Sequence, residues 1–235
     1  MTWFKDWFNS PYYHILYKNR DIKEAQTFID NLIKKLKIKK NTKILDVACG
    51  KGRHAIYLNK KGMNVTGIDL SKNSINNAKK YENNKLQFKV HDMREVFQKN
   101  TFNIATNLFT SLGYFTNIED EKKTLNAIAL SLKKEGILII DFMNSKKVIQ
   151  NLVKSEDKKV GDICFKISRS FKDNFIIKSI QFENNNQKHS FREKVRGLTL
   201  TDFYELIKHT DLKIINVFGN YRLEPFKALN SERLI

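Results

Sequence analysis

Three carboxylates, Asp46, Asp69 and Asp92, each close a short apolar run, and two glycines, Gly50 and Gly52, lie between the first two acids. Lys43 to Val47, Asn64 to Ile68 and Leu86 to Val90 read as strands, and Arg53 to Lys61 has helical spacing closed by Gly62. In an open parallel sheet, ligands bind outside the carboxyl ends of the strands, so the acids and the glycine turn converge on one nucleoside-shaped crevice. Two ligands compete for it. Gly50-Lys51-Gly52-Arg53-His54-Ala55 matches the dinucleotide pattern G-x-G-x-x-[G/A], with an acid 69 − 52 = 17 positions after the second glycine. Against a dinucleotide, Asp46 stands four residues before Gly50, where its carboxylate repels a pyrophosphate. It suits a ligand that carries an ammonium and a sulfonium.

The acid-x-x-x-Gly-x-Gly arrangement of Asp46, Gly50 and Gly52 resembles motif I of class I S-adenosylmethionine-dependent methyltransferases, with Ala48 in place of a frequent first glycine. The resemblance implies S-adenosylmethionine as cofactor. On that reading Ala48, Gly50 and Gly52 lie along its methionine portion, and Asp46 balances the ammonium directly or through water. Asp69, with Leu70 beside it, takes the ribose diol, Asp92 and Met93 take the adenine, and Asn107 sits by the reactive methyl. Arg53 and His54 open the following helix and reach the methionine carboxylate or the acceptor, or else form a solvated first turn. No metal is implied. A general base is needed only for an acceptor protonated at working pH, and Tyr13, His14, His54 and Tyr114 are the candidates.

The acceptor is less defined. Asn107-Leu108-Phe109-Thr110 lacks the Pro-Pro-aromatic sequence of adenine and glutamine amino-methyltransferases, and no Pro-Cys pair offers a covalent nucleophile for cytosine carbon methylation. Ser111 to Phe115 and Tyr12 to Asp21 resemble small bacterial enzymes that methylate small molecules. The expectation is transfer to an N, O or C atom of a small-molecule acceptor. An RNA (tRNA) methyltransferase is the alternative, a non-catalytic S-adenosylmethionine-binding regulator a third reading, and a nicotinamide enzyme a fourth.

A net charge of +18 favours a nucleic-acid partner in principle. Most of the excess is lysine scattered with asparagine and isoleucine, as a coding bias produces, and arginine forks are few. The 235 residues, 41% apolar, suffice for one domain over 1–235. There is no apolar run of spanning length and no signal-peptide pattern at the N-terminus, so a soluble cytoplasmic protein is expected. Cys49 and Cys164 lie too far apart in a chain without metal-ligand spacing to suggest a disulfide framework or a zinc site.

Residues 1–40 should form an N-terminal lid and helix. Of its aromatic residues, Trp3 to Phe8 are read as packing and Tyr12 to Arg20 as lid, followed by an Asp21-capped helix whose stripe is Ile22, Ala25, Ile29, Leu32, Ile33 and Leu36. Residues 41–153 form the nucleotide-binding core. It contains a Ser71-capped helix to Glu82, a strand from Phe102 to Leu108, a helix from Ile118 to Leu132 with Asn117 as cap and Gly136 beyond its end, and a buried strand from Gly136 to Met143. Asp141 is a base or a cap. Residues 158–196 alternate as three strands of an antiparallel meander, a roof over the site or a dimer contact. In 197–235, Thr199 and Asp202 cap a helix to His209, Leu212 to Phe218 is a sixth strand, and Asn230 to Ile235 resembles the start of a shortened seventh. The fold class is therefore α/β: a Rossmann-like, seven-stranded class I methyltransferase fold with an N-terminal helical lid, an inserted antiparallel β-meander and a shortened last strand.

Overall fold

The computed structural model describes residues 3–18 and 22–235, with side chains from residue 6 onward in the first stretch. Two short helices, α1 (Trp3–Asn9) and α2 (Pro11–Leu16), precede a long one, α3 (Ile22–Leu36). Ser10 separates the first two. Its hydroxyl accepts the Tyr12 N–H, and Pro11 occupies the first helical turn, where a missing N–H costs nothing. The Asp21 cap lies outside the described residues. Along α3, Ala25, Phe28, Ile29 and Leu32 form the buried stripe, whereas Ile22, expected in it, is 65% exposed.

The core follows as β1 (Lys43–Val47), α4 (Arg53–Lys60), β2 (Asn64–Asp69), α5 (Lys72–Ala78), β3 (Leu86–Val90), β4 (Phe102–Asn107), α6 (Ile118–Ser131) and β5 (Leu132–Ile140). The five strands are parallel, in the order β3-β2-β1-β4-β5, so the chain reverses direction across the sheet between β1 and β4. This switch point is where a ligand crevice opens. Three caps read from the sequence are present: Ser71 accepts from Ser74 N–H, Asn117 from Glu119 N–H, and Gly62 adopts a φ of 97° after α4. α5 runs into a single 3₁₀ turn at 79–81 instead of continuing to Glu82. α6 leads directly into β5, which places Gly136 inside the strand instead of after the helix.

Beyond Asp141 the backbone continues as β6 (Phe142–Met143) and α7 (Ser145–Gln150), and then as a four-stranded antiparallel sheet. Its strands are β7 (Ser155–Val160), β8 (Ile163–Lys172), β9 (Phe175–Asn184) and β10 (Gln187–Arg196). The meander therefore has four strands, not three, and starts at 155. Asp173-Asn174 and Asn185-Asn186 all have φ between 51° and 62°, the paired left-handed conformation of two-residue hairpin turns. Ile163, Phe165, Ile167, Ile180 and Phe182 point to one face, and Trp7 and Leu16 of the N-terminal helices cover it.

After α8 (Leu200–Ile207), whose Thr199 and Asp202 make the expected reciprocal cap, the predicted sixth strand at 212–218 forms no regular strand, and only Phe218 makes an isolated bridge, to Pro225. The final β11 (Arg233–Leu234) pairs antiparallel with β6, and on its other side the Ile235 and Phe218 backbones exchange hydrogen bonds at 2.8 and 2.9 Å. The seven-strand order thus survives as five regular strands and a two-residue edge ribbon. An apolar groove of about 820 Å³ runs along that edge between β5 and residues 211–217.

Candidate cofactor site and the family of the chain

The glycine turn is shaped by backbone conformation. Ala48, Gly50 and Gly52 have φ of 58°, 57° and 79°. A Cβ on Gly52 would sit 2.6 Å from the Phe88 ring, and one on Gly67 would meet the same ring at 2.6 Å and Cys49 Sγ at 2.9 Å. Phe88, wholly buried on β3, therefore dictates both glycines, while Cys49 fills the space left beside them. Ala48 lacks this freedom. An L-residue pays about 1–2 kcal/mol in the left-handed region, so Ala48→Gly should raise stability by about 1 kcal/mol, read as a melting-temperature increase of about 2–4 °C.

The three predicted acids have different surroundings. Asp46, 1% exposed, accepts from Thr106 Oγ1 at 2.8 Å through one oxygen, and Oδ2 has no partner among the described residues. Burial pushes its carboxyl up to about 7; the Thr106 bond and the nearby Ala55 backbone N–H oppose the rise, Asp69 adds to it, and Arg53 counters it. Asp69 accepts the Gly50 N–H at 2.8 Å on one oxygen and the Ser71 N–H at 2.8 Å on the other, while burial raises its pKa. It thus ties the glycine turn to the cap of α5. Asp92 is gripped by Arg94 through Nε and Nη2, and Arg94 Nη1 reaches Asp120 at 3.0 Å, which holds the Asp92 carboxyl below its usual range. Asp92 thus carries a structural bond whatever else it contacts. Met93 packs against the apolar cluster that contains Leu45 and Phe102, and Leu70 is 37% exposed.

Buried Asn107 donates to Val47 O at 3.3 Å, and its Oδ1 has no partner among the described residues. Two buried acceptor atoms, Asp46 Oδ2 and Asn107 Oδ1, thus lie on the paired strands β1 and β4 at the crevice. A buried carboxylate whose remaining oxygen lacks a donor is matched by a ligand ammonium and opposed by a phosphate. The chemistry of this donor set fits S-adenosylmethionine.

Arg53 begins α4 with its guanidinium 4.4 Å from the centroid of the Phe109 ring, and His54 behind it is 8% exposed. The turn after β4 holds Phe109 and Thr110 at φ of 64° and 59°. Asp141 sustains it: Oδ2 accepts the Phe109 N–H at 2.9 Å and the Tyr221 hydroxyl at 3.1 Å, Oδ1 accepts Arg233 Nε at 2.7 Å, and its carbonyl accepts the Thr110 N–H at 2.8 Å. With both oxygens engaged and 1% exposure, Asp141 positions the turn and is neither the free base nor the helix cap considered for it.

The N-terminal helices join the roof to this crevice. Trp7 Nε1 and the Tyr17 hydroxyl both donate to Glu193 Oε1, at 2.7 and 2.6 Å, and Lys178 Nζ lies 2.5 Å from the same hydroxyl. Asn9, ending α1, accepts the Ser71 hydroxyl at 2.6 Å, next to Asp69. Tyr13 packs between Trp7, Phe8 and Tyr17, His14 lies edge-on to it, and Phe8 meets Tyr114 at 5.3 Å. Tyr13, His14 and Tyr114 are thereby brought to one aromatic cluster at the lid, apart from His54 in the α4 turn. Trp7 packs in the core against the meander, and α1 also reaches Ser71 through Asn9. Glu193, Lys178, Asn9, Tyr221 and Arg233 carried no sequence signal, since their partners lie 62 or more positions away.

Glu193→Gln keeps the acceptor oxygen but removes the charge beside half-buried Lys178. The variant should lose about 1–3 kcal/mol and expose Trp7, seen as a red shift of tryptophan emission.

No helix among the described residues is long and apolar enough to cross a membrane, and no group of three metal-ligating side chains occurs among them. A family model described as a methyltransferase domain matches residues 38–196. A protein of Geobacillus sp. (strain WCH70) that carries the name methyltransferase is 30% identical over 152 residues, 61% of this chain and 62% of its own length. The chain thus spans less than two thirds of that relative. Among solved structures, an S-adenosylmethionine-dependent methyltransferase from Clostridium acetobutylicum aligns with a TM-score of 0.80 at 22% identity, over 95% of this chain and 94% of the other. The S-adenosylmethionine-bound amino pentose methyltransferase CalS10 of Micromonospora echinaspora gives 0.72 at 16% identity, over 96% and 95%. With more than half of its residues under the family model and the whole of its fold shared, the chain belongs to the methyltransferase-domain family, the class I S-adenosylmethionine-dependent methyltransferases.

Proposed function

We propose that the protein transfers a methyl group from S-adenosylmethionine to an N, O or C atom of a small-molecule acceptor. When bound, the cofactor supplies an electrophilic sulfonium methyl, so the chain's own task is to hold, align and exclude water. Asp46 meets the ammonium, with Asn107 Oδ1 as a second acceptor; Ala48, Gly50 and Gly52 carry the methionine portion along the turn. Asp69 takes the ribose hydroxyls through the lone pairs left by Gly50 and Ser71, with Leu70 flanking. Met93 offers its backbone to the adenine while Asp92, braced by Arg94, sets that loop. Arg53 faces the methionine carboxylate. Tyr13, His14 and Tyr114 gather at the lid and are the proposed proton acceptors, whereas buried His54 supports the turn.

The observation that carries the small-molecule reading is the enclosure of the site: α1 is bonded to Ser71 below and to Glu193 of the meander above, and Phe8 closes on Tyr114. A roof fastened at both ends excludes water and admits a compact acceptor. The amino pentose enzyme of similar fold acts on a small molecule by its name. The test is formation of S-adenosylhomocysteine with fractionated small metabolites and, in parallel, with bulk tRNA at low and high salt. Turnover confined to the metabolite fractions is expected. Salt-sensitive turnover with tRNA alone would replace the acceptor class, and cofactor binding without turnover in either pool would favour a regulator.

A further inference from the structure

A cavity of about 680 Å³ opens beside Phe109, whose ring carries the Arg53 guanidinium 4.4 Å from its centroid. Lys23, Glu24 and Thr27 from the first turns of α3 form one wall, and Asn220, Tyr221 and Arg222 with Glu232 and Arg233 form the other. Arg233 is fixed from behind: Nε is on Asp141 at 2.7 Å and Nη2 on Thr110 Oγ1 at 3.0 Å, while Nη1 has no partner among the described residues. A guanidinium held on two edges presents its third as a rigid pair of donors. Glu24 has no hydrogen bond or ion pair among the described residues, and its charge acts on both Tyr221 and Arg233. Arg222 stands at the rim, 77% exposed, 3.4 Å from Glu224. Glu232, the other acid of the wall, is already paired with Lys147 at 2.5 Å. The cavity thus sets one uncommitted carboxylate against one preorganised and one mobile guanidinium.

We propose that this cavity is the acceptor pocket and that it takes a small amine bearing an anionic group, a carboxylate or a phosphate, with the amine at Glu24 and the anion at Arg233 and Arg222. This rests on the methyl-transfer reading and narrows it from any N, O or C acceptor to a nitrogen. Glu24 holds the ammonium form and offers the outlet for the proton that nitrogen must shed before its lone pair is available. A neutral sugar or a quinone leaves both charged walls unmatched, at the desolvation cost of each. Phe109 and Tyr221 provide flat apolar surface for the short carbon link between the two charges.

The experiment is calorimetric titration of the full chain saturated with S-adenosylhomocysteine, using glycine, phosphoethanolamine and ethanolamine as probes. Phosphoethanolamine or glycine is expected to bind at least about tenfold more tightly than ethanolamine, the loss expected for one charge-assisted pair. Arg222→Ala should weaken the anionic probes about threefold and Arg233→Lys about tenfold, while Glu24→Gln weakens all three amines. Affinity for S-adenosylhomocysteine should stay within twofold in Arg222→Ala and Glu24→Gln. Equal binding of ethanolamine and phosphoethanolamine, or no binding of any amine to the loaded protein, overturns the assignment and leaves methyl transfer standing. A loss of S-adenosylhomocysteine affinity in those two variants, with amine binding unchanged, also overturns it, by giving the cavity to the methionine end of the cofactor. Failure of S-adenosylhomocysteine to bind the unmodified chain overturns the underlying reading, and the pocket with it.

Discussion

Replacing Asp69 with alanine lowers affinity for S-adenosylhomocysteine by about 100- to 1,000-fold. Hydrogen bonds to a charged group contribute about 1.5–3 kcal/mol each. A carboxylate holding two ribose hydroxyls therefore accounts for roughly 3–4 kcal/mol, each 1.4 kcal/mol being a factor of ten. The same carboxylate accepts two backbone N–H groups, so alanine also releases the Gly50 turn from the start of α5. Asp69→Asn separates the two effects. Its remaining carbonyl oxygen keeps one of the backbone bonds and its neutral amide loses the charge assistance, so affinity should fall about tenfold with the melting temperature near that of the parent. A tenfold loss in Asn and a much larger one in Ala, followed by calorimetry and thermal melts, is the expected pattern. Equal affinity in all three proteins would remove Asp69 from the site.

The second large effect is a coupling of cofactor binding to protons through Asp46. Its folded carboxyl titrates near 7 instead of 3.8 because it is buried, so the ionised form is disfavoured by about 4 kcal/mol relative to the unfolded chain. The folded state therefore holds the proton more tightly than the unfolded state. Stability from this group is fully present below about pH 4 and is lost as the pH rises toward 7, after which it no longer changes. Glu121, equally buried under Gly113 and likewise pushed up to about 7, acts in the same sense. The apo protein should thus lose stability between about pH 4 and 7. A ligand ammonium placed at Oδ2 reverses the preference for Asp46 alone. Binding should release up to one proton at pH 6, about half at pH 7 and almost none at pH 8.5, and affinity should rise over that interval. Calorimetry in buffers of different ionisation enthalpy counts the protons. Asp46→Asn should abolish the release and, by leaving Glu121, only part of the stability slope. An unchanged proton count in Asp46→Asn would contradict the assignment.

Legibility from sequence followed the range of the interactions. The glycine turn, the acids at the ends of β1, β2 and β3, and the caps at Ser71, Asn117 and Thr199 depend on neighbours within a few residues, and their types identify them. The meander turns were readable because Asp-Asn and Asn-Asn tolerate the left-handed conformation that a tight hairpin demands. What failed depended on distant partners. Leu212 to Phe218 has strand composition, yet strand pairing needs an adjacent edge, and only its end meets one: Val217 accepts from Phe226, and Phe218 exchanges bonds with Ile235 and bridges Pro225. Ile22 fits the α3 periodicity but is the first residue of the helix and is 65% exposed among the described residues. Asp141 looked like a strand-end base because Tyr221 and Arg233, which occupy it, lie 80 and 92 positions on. The fold of Arg94 back onto Asp92 and on to Asp120 was likewise not readable from the sequence.

The measurement that bears most directly on the cofactor crevice is titration of the unmodified protein with S-adenosylhomocysteine and, separately, with NAD at pH 7, in two buffers of different ionisation enthalpy. Binding of S-adenosylhomocysteine with release of about half a proton, and no heat with NAD, is the predicted result. Binding of NAD without S-adenosylhomocysteine would mean that the carboxylates of β1 and β2 tolerate a pyrophosphate, and would contradict the site assigned to them.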